Sequence, residues 1–517
     1  MNKTMLKTLG LALPTLLLAG CLDLSVTNPN DPDRDRALDD AGDVETLIAS
    51  SWNGYWNRTQ VQGWPYYILT AVGGVHQTSV ANSGALVMSD LPRPIYDNNA
   101  VSEVSGLARW PWFNLYADLD SAIEGMRAVN AGMQFGPGGQ DSHRAETFAT
   151  LAQGMLLGQV GLMYDQGFVA DENTSSEELA ALEPLPYTDV IEFAVGKLQR
   201  AAELAGQGSF QIPYIWMNDI LQNEEDVARF AHSQAARLLV YSARTPEERQ
   251  NNVDWQRVLD LLDNGITEDV TANHQVGDLG NSNFKRRISW DVFGGYRAWP
   301  KFIGKADISG NYQQWLATEL RDRRRFEVTT PDRRITGATP DSDGKYFRYL
   351  TTNPFRDERG TWRQSYYQFY RWGGEWRNAE LTIMTTDEMN LLRAEAYLRT
   401  GSPEMAADLI NITRVGNGEL PPVTAQGVPQ SEDCVPRNDD GSCMDLLGAL
   451  WWERMVEVTG MESTRDWADN RGFGMLEEGT FLHLPIPGRE LETLDMPMYT
   501  FGGVGGEAAA AAPIHPR

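Results

Sequence analysis

Apolar side chains recur at three- and four-residue spacing through most of the chain after residue 43. That is the period of helices buried along one face. Residues 44–57 carry Leu47, Ile48, Trp52 and Tyr55 or Trp56 on one stripe. Further periodic stretches run over 112–129, 187–204, 226–243 and 254–264. The strongest covers 145–168. There Phe148, Leu151, Met155 and Leu162 mark one apolar face, and Ala152, Leu156, Val160 and Met163 a second. A helix apolar on two faces is predicted to be buried. Gly154, Gly158 and Gly161 lower its propensity and predict close approach by neighbours. The clearest pair is 386–399 and 404–415, joined by Thr400-Gly401-Ser402-Pro403. Ser402 is the expected cap and Pro403 the first helical residue. A last helix is predicted over 446–458.

Two regions break the period. Residues 63–100 hold Gly63-Trp64-Pro65, Gly73-Gly74, Ser83-Gly84 and Leu91-Pro-Arg-Pro94, which read as loops and turns facing a ligand. A Gly/Pro loop is expected at 132–140. Between 270 and 380 Trp, Tyr, Arg and Gly are mixed, and long loops with a few short strands are expected. Tyr397, Ala406 and Ile410 sit at tetratricopeptide-like intervals. The expected fold is therefore mainly α: tetratricopeptide-like helix pairs in one globule over 43–500. Residues 501–517 read as a loosely ordered tail.

The first residues follow a different logic. Lys3 and Lys7 precede an apolar run from Leu9 to Leu18, too short to span a bilayer and interrupted by Pro14. Leu18-Ala19-Gly20-Cys21 then gives a lipobox. Residues 1–20 read as a removed signal peptide and Cys21 as the lipidated residue. Dual or triple acylation anchors a protein stably where one chain does not. Leu22 rather than Asp follows the cysteine, so nothing marks inner-membrane retention, and the outer membrane is the expected location. Residues 22–42 read as an extended polar tether. Asp31, Asp33 and Asp35 alternate there, but a calcium loop would need Gly at 36 and Glu at 42, where the chain has Arg36 and Gly42.

Charge narrows the partners. The formal charge is −27, and loss of Lys3 and Lys7 with the signal makes it −29. Such a chain repels nucleic-acid phosphates, so nucleic acid is not an expected partner. Of three cysteines, Cys434 and Cys443 remain after Cys21, nine positions apart in a polar loop. In an oxidising compartment a local disulfide is the natural reading, against free thiols or a weaker metal reading. Six histidines are scattered with no two at ligand spacing, and no metalloprotease, P-loop, nucleophile-elbow or SxxK pattern occurs. No cofactor or metal is expected, and catalysis is the minority reading. Glu453 with Arg454, and Glu457 with Arg465, read as structural ion pairs.

An ordered set of motifs resembles the SusD/RagB family of nutrient-uptake lipoproteins. After the lipobox come Leu22-Asp23-Leu24 and Asn28-Pro29-Asn30. Leu162-Met163-Tyr164-Asp165 and Ala236-Arg237-Leu238-Leu239-Val240-Tyr241 follow. Then come the run 388–397 with Ala394-Glu395-Ala396, and Asn411-Ile412-Thr413-Arg414. Trp452-Glu453-Arg454-Met455-Val456-Glu457, Arg465-Asp466-Trp467 and Leu484-Pro485-Ile486-Pro487 close the series. Glu462-Ser-Thr-Arg465-Asp-Trp-Ala and the Gly/Ala-rich ending depart from the family pattern and place the chain in a divergent branch. The resemblance implies a surface-exposed lipoprotein of the outer membrane that caps a TonB-dependent barrel transporter. It also implies binding of a glycan or other nutrient without catalysis. A surface-anchored glycoside-processing enzyme, or a helical-repeat envelope scaffold without a small ligand, are the alternatives.

Binding of a sugar needs exposed flat rings beside amide and charged donors. Two stretches offer them. The first supplies His76, Asn82 and Tyr96; the second supplies Trp290, Tyr296, Arg297, Trp299 and Tyr312.

Overall fold

Glycine sets the geometry at the centre of the helical frame. The computed structural model describes residues 38–59, 66–79, 81, 84–217, 219–272, 296–353, 355–371, 381–462 and 464–505. Its principal helices are α1 (Ala41–Thr59), α2 (Gly106–Asn130), α3 (Ser142–Met163), α4 (Tyr187–Ala205), α5 (Glu224–Tyr241), α6 (Pro246–Asn251), α7 (Trp255–Asp263), α8 (Thr386–Arg399), α9 (Pro403–Gly416), α10 (Leu446–Val458) and α11 (Arg465–Phe473). Every residue of α3 from Thr147 to Met163 is buried. A Cβ placed on Gly154 would lie 2.8 Å from Leu198 Cγ, on Gly158 2.5 Å from Leu238 Cδ1, and on Gly161 2.8 Å from Ile191 Cγ1. The three glycines thus let α4 and α5 lie directly on α3, and the buried apolar surface offsets their cost in propensity.

The helices pack in chain order, as a repeat does. α1 lies on α2, α2 on α3, α3 on α4 and α4 on α5; α5 meets α7, α7 meets α8, and α8 packs on both α9 and α10. Each pair hides a face it could not hide alone. The fold is mainly α, and no described helix is long and apolar enough to cross a membrane.

The succession is interrupted once, between α7 and α8. Strands β2 (Val270–Ala272) and β6 (Leu381–Met384) pair antiparallel there and form a neck. Beyond the neck stand β3 (Tyr296–Ala298), β4 (Phe347–Tyr349) and β5 (Tyr367–Phe369). β3 pairs with β1 (His76–Thr78) in the register Gln77↔Arg297, and β4 pairs with β5 in the register Arg348↔Gln368. β3 lies beside β5. Trp299, Phe302, Phe347, Tyr367 and Phe369 form a second core here, packed on Trp451, Trp452 and Met455 of α10.

Charge, as well as apolar surface, is buried between the helices. Glu395 of α8 accepts from Arg249 Nε and Nη2 of α6 at 2.7 and 2.8 Å and from Arg454 Nη1 of α10, while Arg454 Nη2 reaches Asp469 of α11 at 2.7 Å. Four charges from four helices meet with no solvent access. Arg237 of α5 and Tyr241 hold Glu388 of α8. Arg334 joins Asp332, Glu453 and Glu457 at 2.7, 2.5 and 2.9 Å. Burial alone would raise the Asp332 carboxyl, but Arg334 holds it below the ordinary range.

Several expectations change in three dimensions. α3 stops at Met163 rather than 168, because Leu484 N donates to Met163 O and Asp165 N to Leu484 O, drawing Tyr164 into extended backbone. Ser402 does stand at the start of α9, yet its backbone carbonyl, not its hydroxyl, accepts from Ala406 N. α10 is not the last helix: α11 and Gly488–Thr493 follow. α11 is buried through Arg465, Asp466, Asp469 and Arg471, so it leaves no apolar period. The ion pairs of α10 are structural but differently matched. Glu453 meets Arg334 rather than Arg454, Glu457 meets Arg334 and Arg371 rather than Arg465, and Arg465 pairs with its own neighbour Asp466. Residues 63–100 are not an open surface: His76, Gln77, Tyr96 and Asn98 are all buried. At the far end, Tyr96 N donates to Phe501 O, Ile95 bridges Gly502, and Gly503 N donates to Gly479 O, so three residues of the expected tail belong to the globule. Cys434 and Cys443 are bonded, with Cα atoms 5.8 Å apart. Cys21 and its signal and tether up to residue 37 lie outside the described residues, as do 506–517.

Candidate functional site

The rings named from the sequence are walls rather than platforms. Trp299 is buried edge-to-face against Trp315 and Trp362, and its Nε1 donates to Glu477. Tyr312 stacks on Trp315 and Phe326 and donates to Asp439 at 2.6 Å. Tyr96 donates to the carbonyls of Val104 and Ser105. His76 lies 3.2 Å from Thr459 Oγ1 and edge-on to Phe369. Tyr296 is buried beside them on β3. Trp299 and Tyr312 cover the short strands of the second core, whereas Tyr96 and Tyr296 pack into the first. Asn82 and Trp290 lie outside the described residues.

Arg297 is the exception with a link to the surface. It too is buried, but its Nη2 donates to Thr352 O at 3.3 Å, at the root of the loop 350–366 that joins β4 to β5. Tyr349 and Tyr366 stand at the two feet of this loop, stacked with centroids 5.0 Å apart. Aromatic pairs of this kind stabilise a hairpin end. Arg325 lies over the Tyr366 ring at 4.2 Å and donates to Thr351 O at 2.9 Å. Tyr349 donates to Glu327, and burial together with that carboxylate holds its phenol above the ordinary value. Both rings are half-buried.

The rest of the loop is fixed to the body by guanidinium groups. Arg359 Nη1 donates to Ser79 O at 2.5 Å, Arg363 donates to Ser89 O and to Asp90, and Arg324 donates to Thr361 Oγ1. Arg356, Asp357, Glu358 and Arg359 line a cleft of about 620 Å³ on the outer side of the loop. Asp357 accepts from Gln364 Nε2 at 2.6 Å. Arg356 is exposed, and its side chain has no hydrogen-bond or ion-pair partner among the described residues. The cleft therefore combines guanidinium donors and carboxylate acceptors on a short loop. That is chemistry for a ligand rich in hydroxyl groups. The sequence did carry a signal for it: a polar turn-rich run, Thr351 to Gly360, between Phe347-Arg-Tyr349 and Tyr366-Tyr367-Gln-Phe369.

Among the described residues no group of three or more His, Cys, Asp or Glu is placed to hold a metal ion. No family model matches the sequence, and no curated protein matches it. Solved structures do. A SusD superfamily protein from Bacteroides vulgatus superposes with a TM-score of 0.55 at 15% identity, covering 88% of this chain and 97% of that one. The chain has the SusD-like fold. A SusD homolog from Bacteroides thetaiotaomicron gives a TM-score of 0.53 at 14% identity over 90% of this chain and 97% of its own. A SusD-like carbohydrate binding protein from Bacteroides vulgatus gives 0.51 at 15% identity, over 84% and 83%.

Proposed function

We propose that the chain is a cell-surface lipoprotein that binds an oligosaccharide nutrient and acts as the lid of a TonB-dependent barrel transporter in the outer membrane. The observation that carries this reading is the SusD-like fold over 84–90% of the chain, shared with a protein described as carbohydrate binding. The lipobox at Cys21 supports the location: residues 1–20 are removed, the residues from 21 to the start of α1 at Ala41 tether the globule, and the acyl chains hold it to the membrane. The cleft at 356–359 and the Tyr349–Tyr366 pair supply the binding chemistry. The ligand is held and handed on without bond cleavage.

Two measurements test this. Calorimetry of the mature chain against a panel of oligosaccharides is expected to find saturable binding without release of reducing ends. Affinity capture from detergent-solubilised outer membrane is expected to recover a barrel protein with the lipoprotein. Binding of no glycan in the panel refutes the ligand, and hydrolysis of a bound glycan refutes the non-catalytic role. Capture without a barrel refutes the lid. Cys21→Ala is expected to move the protein out of the membrane fraction.

A further inference from the structure

The helix α9 is apolar on two sides. Its inner side carries Ala406, Ala407 and Ile410, buried with residues of α8 and α10 in one cluster. Its outer side carries a second row at helical spacing, Met405, Leu409, Ile412 and Gly416, with Val415 beside it. Met405 is 47%, Ile412 50% and Val415 44% exposed, and Leu409 is half-buried. No other described helix leaves three large apolar side chains in solvent. Every exposed residue of α4 and of α7, by contrast, is polar or glycine. A helix apolar on opposite sides is ordinarily covered on both, and a contiguous exposed apolar patch marks an interaction site. Among the described residues nothing covers the outer side of α9.

Shape and charge say what fits there. The row advances by about one residue per turn, which is the ridge that a second helix packs against. It ends at Gly416, where a Cβ would meet nothing within 4 Å. Without a side chain at that point another backbone can come close, as α4 and α5 do at the glycines of α3. The exposed charged residues of α9 are Glu404 and Asp408, and neither has a hydrogen-bond or ion-pair partner for its side chain among the described residues. Glu404 suits the first turn of its own helix, but Asp408 stands in mid-helix without that benefit. The cations at the far end of α9 are engaged: Lys345 binds Glu419 at 2.9 Å and donates to Asn417 O, and Arg333 donates to Gly337 O. A second copy of this chain would set the same carboxylates against each other, in molecules of charge −27.

We propose that the outer face of α9 is the docking surface for an amphipathic helix of another protein, with apolar residues at three- and four-residue spacing and Lys or Arg on their flank. Met405, Ile412 and Val415 cover the apolar side of that helix, Asp408 and Glu404 meet its cations, and Gly416 lets the two backbones approach. This inference goes beyond the glycan and barrel readings above and does not rest on them.

Fluorescence anisotropy of a labelled peptide tests this on the full mature chain. The probe is a helical peptide of about five turns with leucines along one face and lysines on their flank; its twin has glutamates in place of the lysines. The lysine peptide is expected to bind about tenfold or more tighter than the twin, and Ile412→Ser to weaken it about tenfold. A lysine peptide is drawn to any acidic surface, so two glycines carry the decision. Gly416→Gln sets a side chain on the docking face where the free chain has room for it, and is expected to weaken binding as Ile412→Ser does, with no fall in melting temperature. Gly196→Gln makes the same change on α4, where a Cβ also meets nothing within 4 Å, and is expected to leave binding unchanged. Equal effects of the two glycine variants, equal affinity for the two peptides, or binding of neither overturns the proposal. Sedimentation velocity of the chain without peptide is expected to show a monomer. Self-association that Ile412→Ser abolishes gives the face to a second copy, and overturns the proposal as well.

Discussion

Substitution of Glu395 by Gln tests whether buried charge bolts the helical frame together. Glu395 has no solvent access and accepts two hydrogen bonds from Arg249, at 2.7 and 2.8 Å, and a third from Arg454. Burial would raise its carboxyl, yet Arg249 and then Arg454 hold it below the ordinary glutamate value, so the group is ionised in the folded protein. Glutamine keeps the shape and removes the charge. Two guanidinium groups then share Asp469 alone, and the amide turns an N–H toward one of them. Breaking a buried pair from one side costs about 3–5 kcal/mol, a large part of the 5–15 kcal/mol of an ordinary domain. Equilibrium unfolding of the mature chain in urea, followed by tryptophan fluorescence, reads the loss. Removing Arg454 as well, as Met, leaves Arg249 with Asp469 at 2.8 Å. The double variant is therefore expected to lose less than the two single losses together, by about 1–3 kcal/mol. A loss below about 1 kcal/mol for Glu395→Gln, or strict additivity, would refute the reasoning.

Three further outcomes are expected. Gly154→Ala should destabilise by about 1–3 kcal/mol, because its Cβ meets Leu198 Cγ at 2.8 Å and Ala194 O at 3.0 Å, whereas Gly196→Ala, with nothing within 4 Å, should stabilise by up to about 1 kcal/mol; thermal melts of the two variants check the contrast. Burial raises the Asp165 carboxyl to about 7 against the hydrogen bond from Tyr499. The unfolded chain loses that proton near pH 4 while the folded one keeps it, so stability falls as pH rises from about 4 to 7, and the gain from Asp165→Asn over wild type should grow across that window and level off above it. Opening the Cys434–Cys443 bridge releases a nine-residue separation worth about 2–3 kcal/mol of loop-closure entropy, and limited proteolysis should then cut within 428–445 while far-UV circular dichroism stays unchanged.

Helices that bury apolar stripes were legible in the sequence, and those that bury charge were not. α8 begins and ends where the apolar period and its flanking Thr and Gly place it, at 386 and 399. α11 presents Arg465, Asp466, Asp469, Asn470 and Arg471, which give no apolar stripe, yet all five are buried: Arg465 and Asp466 pair with each other, while Asp469, Asn470 and Arg471 take partners from other helices. The motifs that resemble SusD/RagB proteins explain themselves in the same way: they supply Arg237, Glu388, Glu395, Glu453 and Arg454 to the buried ion sets. The site was half legible. Arg297 was reached, but the described rings chosen around it lie in the cores, Tyr96 and Tyr296 in the first and Trp299 and Tyr312 in the second, because ring count says nothing about which face of a strand is covered. Tyr349, Tyr366 and Arg356 become visible only when the β4–β5 register makes 350–366 a single loop.

The seam between residues 95–98 and 499–503 has a consequence for biosynthesis. Tyr96 takes its backbone partner from Phe501, and Asn98 donates to the carbonyls of Ile486 and Tyr499. Those partners are made some 400 positions later. A nascent chain cannot close that seam as it emerges: the early helices must wait, with Tyr96 unpaired, until nearly the whole polypeptide has been delivered. Contacts of such long range form slowly, and the waiting chain exposes apolar surface meanwhile. The final turn of the molecule is therefore a clasp, and a chain released before residue 499 would lack it however well its helices had stacked.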